Sequence, residues 1–175
     1  MTSTLIVEDG TGLPNADSFA SLADALTYHA KMGNDGWVAT GVTDTTRDIA
    51  MREATRYIRD RWAGRWQGYV INSIQSLPFP RFDVYDSNDI LVLSTSVPPG
   101  IQEATFDLAL RALTEDLMPD IEAGAGAEIA SSVTVGPVSV SSTLASASST
   151  TKQYTTAELK VKPYLSSMSG RVSRG

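Results

Sequence analysis

The run from Val97 to Leu113 (Val-Pro-Pro-Gly-Ile-Gln-Glu-Ala-Thr-Phe-Asp-Leu-Ala-Leu-Arg-Ala-Leu) has few folding options other than an amphipathic helix. Pro98 and Pro99 suit a first turn, where a missing N–H costs nothing. Ile101, Ala104 or Thr105, Leu108, Ala109, Ala112 and Leu113 then recur at helical spacing and predict one wide apolar face. The helix must end before Pro119. Upstream, Leu77-Pro78-Phe79-Pro80-Arg81 carries the opposite instruction. Its two prolines predict a stiff segment near polyproline II.

Two further helices are predicted ahead of that segment. One runs from Leu22 to Met32, with Ser21 as cap, Asp24 three residues on and Gly33 as stop. Leu22, Ala25, Leu26 and His29 share its apolar face, and Trp37 is expected to pack beneath it. The other runs from about Asp44 to Trp62, capped by Thr43. Its buried stripe is Ile49 or Ala50, Ala54, Tyr57, Ile58 and Trp62, and Arg47, Arg52, Arg56, Arg59 and Arg61 crowd the rest of its surface. Tyr69-Val70-Ile71 and Ile90-Leu91-Val92-Leu93 are short apolar runs, each long enough for a strand.

After Asp120 the composition changes. Ala123-Gly124-Ala125-Gly126-Ala127 reads as a flexible link, and residues 141–151 as a Ser/Thr/Ala spacer. Between them, Val133-Thr134-Val135-Gly136-Pro137-Val138-Ser139-Val140 predicts a hairpin pairing Val135 with Val138 and Val133 with Val140. A last short helix, about Thr156 to Leu165, carries Leu159, Val161, Tyr164 and Leu165, and reads as a detached piece that docks on a partner. The expected architecture is mainly α: a small helical bundle with a β-hairpin and extended N- and C-terminal arms. The boundaries are an arm over 1–20, a helical core over 21–122, and a hairpin, spacer and docking helix over 123–175.

Composition narrows the function. The chain has 175 residues, no Cys and one His, so disulfides and thiolate metal sites are excluded. No apolar run is long enough to span a membrane, and the N-terminus lacks a signal-peptide pattern, which predicts no membrane partner. His29 falls by the apolar stripe, where a core role is expected. Glu115 and Asp116 are adjacent and so do not share a helix face. No nucleophile elbow accompanies the serines. The expectation is a binding or structural protein, not an enzyme, without cofactor or metal. Charge is blocked along the chain: residues 47–81 hold seven Arg against three acids, and residues 82–130 hold one Arg against ten acids. Such blocks predict complementary surfaces between copies or with a partner.

Taken in order, the motifs resemble a family of bacteriophage head–tail connector, or adaptor, proteins that is often labelled DnaT-like. The motifs that carry this are the arm Leu5-Ile6-Val7-Glu8-Asp9-Gly10-Thr11-Gly12-Leu13-Pro14-Asn15-Ala16-Asp17-Ser18, Tyr28-His29-Ala30, Gly33 with Trp37, Ala54-Thr55-Arg56-Tyr57-Ile58, Leu77-Pro78-Phe79-Pro80-Arg81, Glu103-Ala104-Thr105, Val135-Gly136-Pro137-Val138 and Leu159 with Pro163-Tyr164-Leu165. The resemblance implies a dodecameric homo-oligomeric ring in the virion neck, between portal protein and tail or neck completion proteins, assembled in the host cytoplasm and lining the passage of double-stranded DNA. Subunit or partner contacts are then expected at Arg52, Arg56, Arg59, Phe79, Arg81, Glu115, Asp116, Val133, Val135, Val138, Val140, Leu159, Tyr164 and Leu165. The alternative is a DnaT-like single-stranded DNA-binding protein, for which the Arg-rich helix with Tyr57, Trp62 and Trp66 offers a partial match to a stacking groove, with Tyr57 and Trp62 expected to be buried.

Overall fold

The computed structural model describes residues 4–119, 131–135, 138–142 and 152–166. The fold is mainly α. The chain divides into two compact units, Met1–Leu117 with Tyr154–Gly175, and Met118–Gln153.

Helix α1 spans Leu22–Met32. Ser21 Oγ accepts from the Asp24 N–H at 3.1 Å and donates to the Asp24 carboxylate at 2.6 Å, so two groups cap each other at the helix start. Gly33 ends the helix in the left-handed conformation. Helix α2 spans Asp44–Arg61, with Thr43 Oγ1 accepting from the Thr46 N–H. Helix α3 spans Pro99–Ala112, started by its prolines as expected. It lies against α2, and the two bury Ala54, Ile58, Ile101, Ala104 and Leu108.

Trp37 does pack beneath α1. It sits in a 3-10 turn over Asp35–Val38, is fully buried and has its ring 4.6 Å from that of His29. Leu26, read as part of the α1 stripe, is about half exposed at 48%. The rest of the expected stripe holds, with Ala25 and His29 buried and Leu22 half-buried.

The N-terminal residues do not extend away from the core. Asp17 N–H donates to Ile6 O at 2.8 Å, and Glu8 N–H to Ser18 O at 2.9 Å, so the chain doubles back on itself. The buried Glu8 carboxylate fixes the loop by accepting from the N–H groups of Gly10, Gly12 and Leu13. Gly10, at φ +97°, approaches so closely that a Cβ there would lie 2.0 Å from Thr95 O. Phe19 follows, fully buried. Three donors around one carboxylate, plus an apolar anchor, explain why a turn-rich sequence becomes a packed loop.

The predicted partner-docking helix docks on its own chain. Helix α4, Thr155–Val161, packs on α3 and continues into a 3-10 turn over Lys162–Tyr164. Lys160 fastens it: Nζ donates to Asp107 Oδ2 at 2.8 Å and to Tyr28 Oη at 2.6 Å, while Tyr28 Oη donates to Asp107 Oδ1 at 2.8 Å. Burial works against the charge on Lys160, but the bonds to Asp107 and Tyr28 outweigh it and raise its pKa. A series of edge-to-face rings also ties this segment down, running Tyr154–Tyr57–Trp62–Trp66–Phe79–Tyr164 with centroids 5.3 to 6.2 Å apart.

The second unit holds an antiparallel hairpin of Ser131–Val135 with Val138–Ser142, in the register that its valines predict: Val133 opposite Val140 and Val135 opposite Val138. The Gly136-Pro137 turn, the Gly/Ala link and the spacer lie outside the described residues. No described helix is long and apolar enough to cross a membrane.

Candidate functional site

After α2 the chain turns at Gly64 and runs through Arg65, Trp66 and Gln67 into a second, very short hairpin. β1 is Tyr69–Val70 and β2 is Arg81–Phe82, antiparallel, with Tyr69 opposite Phe82 and Val70 opposite Arg81. Two residues per strand cannot hold a ladder alone. Three side-chain and steric devices hold it instead. Arg81 donates from Nε to Gln67 O at 2.6 Å, from Nη2 to Gly68 O at 2.8 Å and from Nη1 to Pro78 O at 3.2 Å. Gln67 donates its amide to Pro163 O and accepts from the Tyr85 N–H, linking the hairpin to the C-terminal segment and to the next loop. Gly68, at φ +61°, brings the strands together: a Cβ there would lie 1.7 Å from Phe82 O.

The result is a pair of aromatic rings facing solvent. Directly opposed residues of an antiparallel pair project from the same face. Tyr69 is 72% exposed and Phe82 50%. Tyr85, two residues beyond Asp83, is 37% exposed. Large aromatics normally bury most of their surface, so two on one face of a pinned hairpin form a presented platform.

The same chain segment leads directly into positive charge. Arg61, Arg65 and Lys162 line a groove of about 360 Å³ between the end of α2 and α4, beside Glu158 and Leu159. Arg61 meets Glu158 only at 3.8 Å. From Arg65 to Tyr69 is at most about 14 Å of extended chain. Among the described residues no cluster of three or more His, Asp or Glu could hold a metal ion.

The structure separates the residues singled out from the sequence. Phe79 is fully buried between Trp66 and Tyr164, so it is a core ring and not a contact surface. The Phe79–Pro80 bond is cis, where a polyproline II run was expected. Arg81 spends its donors on backbone carbonyls, and burial lowers its pKa below arginine's ordinary value. Tyr164 is buried; Leu165 is half-buried and bridged to Trp66; Leu159 is exposed. Arg52 pairs with Asp17 of its own N-terminal loop at 2.6 Å, and Arg59 with its neighbour Asp60 at 2.7 Å. Arg56 is exposed. Glu115 is half-buried beside Tyr154, and burial followed by that carboxylate pushes the Tyr154 phenol up to about 12. Asp116 is exposed, and Val133, Val135, Val138 and Val140 pair in the second unit. Tyr57, Trp62 and Trp66 are all buried, which removes them as stacking surfaces. Tyr69 and Phe82 were not among the expected contact residues: Tyr69 read only as the start of the strand candidate Tyr69-Val70-Ile71, and Phe82 directly follows the Pro-flanked segment that ends at Arg81.

Residues 3–175 match the model of the family described as "Putative DnaT-like ssDNA binding protein". The chain belongs to this DnaT-like family. No curated protein and no solved structure matches it. Membership corrects the connector reading. The family's description names single-stranded DNA binding, and no match supports a virion neck, a portal or tail partner, or a ring. In this DnaT-like chain the exposed, directly opposed aromatic pair lies on the β1–β2 hairpin.

Proposed function

We propose that this protein binds single-stranded DNA, stacking bases on Tyr69 and Phe82. The observation that carries the reading is the exposed, directly opposed pair on one rigidly held hairpin. Every base has a π-face, so such a platform accepts any sequence, provided the bases are unpaired and free to splay. Membership of the DnaT-like family supports the same ligand. The whole chain carries a formal net charge of −6, which repels nucleic acid at long range, so binding must rest on local cations and on stacking.

Fluorescence anisotropy with labelled oligothymidylate tests this. Stacking is worth about 1–3 kcal/mol per base, so Tyr69→Ala or Phe82→Ala should weaken binding roughly 5- to 150-fold. Both positions are exposed, so folding should be retained. If the Tyr69→Ala/Phe82→Ala double variant is folded and binds like the unaltered protein, the assignment fails.

A further inference from the structure

We infer that the groove between the end of α2 and α4 is a phosphodiester-binding subsite, with Arg61, Arg65 and Lys162 as its cations. This deepens the single-stranded DNA reading and rests on it. Three basic side chains converge on one groove against a single acid, Glu158. That acid holds Arg61 loosely, at 3.8 Å, with both side chains about one-third exposed. An incoming phosphate can therefore take over the guanidinium at little cost, because an exposed pair at that separation is worth at most about 1 kcal/mol. Arg65 is exposed, and its own main chain is fixed by Ser166, whose N–H and hydroxyl both donate to Arg65 O. Lys162 is exposed in the 3-10 turn that the Gln67 amide grips through Pro163 O.

The placement gives the groove its role. Arg65, at the groove, is joined to Tyr69, on the platform, through Trp66, Gln67 and Gly68, so the two lie within about 14 Å of each other. A strand whose bases stack on Tyr69 and Phe82 has its backbone within reach of the groove, and the cations track phosphates while the rings hold bases. Other exposed apolar and aromatic side chains nearby include Val70 and Ile74, and also Tyr85, Ile90 and Leu91, which lie close in sequence to Asp83, Asp86 and Asp89.

The test is the salt dependence of oligothymidylate binding. Each phosphate contact on a single strand contributes about 0.7 to the slope of log affinity against log salt. Arg65→Gln with Lys162→Gln should reduce that slope by about 1.4, while Arg65→Lys should keep it. Tyr69→Ala should weaken binding and leave the slope unchanged. Lys31→Gln, a charge change on α1 away from the groove lining, should also leave it unchanged. An unaltered slope in the double variant overturns the subsite and leaves the stacking platform standing. An equal fall with Lys31→Gln also overturns it, since net charge would then be the cause. No binding by the unaltered protein overturns the DNA reading and the subsite together.

Discussion

Replacing Gly68 by Ala should break the aromatic platform specifically. Gly68 sits at φ +61° with Phe82 O only 1.7 Å from where a Cβ would go, and Phe82 C and Asp83 O at 2.9 Å. These are backbone atoms of the facing strand and cannot rotate aside. Two costs add. A side chain in the left-handed region costs about 1–2 kcal/mol. Forcing the strands apart by over 1 Å adds about 1–3 kcal/mol of overpacking, and it stretches the bonds from Arg81 to Gln67 O and Gly68 O. Gly33 separates these terms. It has nearly the same conformation, φ +68°, with nothing within 4 Å. Gly33→Ala should therefore cost only the first term, about 1–2 kcal/mol, and leave DNA binding intact. Gly68→Ala should lose about 2–5 kcal/mol in urea unfolding and also weaken oligothymidylate binding. Equal stability of the two variants, with unchanged binding, would show that the strands are not held as closely as described.

Other perturbations follow the same logic. Lys160→Met leaves the half-buried Asp107 with only Tyr28 and should cost roughly 1.5–3 kcal/mol, lowering Tm by roughly 3 to 12 °C. The folded-state pKa values of Lys160 and Tyr28 are both raised, so their stabilisation is complete below the unfolded values near 10 and fades as pH climbs past them; a pH series of melts checks this. His29 behaves oppositely: burial lowers its pKa, though Asp107 resists, so its stabilisation is complete above about 6.5 and fades as pH falls, and His29→Gln should flatten that acid limb. Phe79→Ala should cost about 3–5 kcal/mol, as a core ring does, in place of the near-neutral effect of a surface ring.

Much of the fold was legible from local signals. Ser21 with Asp24, Thr43, Gly33 and the paired prolines mark helix ends by chemistry that acts within a few residues, and the valine alternation sets the hairpin register. What escaped was held by distant partners. The Glu8 loop depends on a carboxylate finding three N–H groups, and the docking of α4 depends on Lys160 meeting Asp107, 53 residues away. The β1–β2 hairpin is closed by Arg81 and by Gln67 reaching Pro163, 96 residues on. A two-residue strand has no period to read, so Tyr69 read only as the start of a possible strand, Tyr69-Val70-Ile71, and nothing local paired it with Phe82. Phe79 misled for the converse reason: a short Pro-flanked segment resembles an exposed turn until Trp66 and Tyr164 close around it.

Ultraviolet cross-linking of the intact protein to oligothymidylate, with the attached peptides mapped by mass spectrometry, tests the central claim most directly. Bases stacked on the platform should cross-link at Tyr69 or Phe82, and those links should vanish in the Tyr69→Ala/Phe82→Ala variant. Cross-links that fall only on other residues, with none on β1 or β2, would contradict the account.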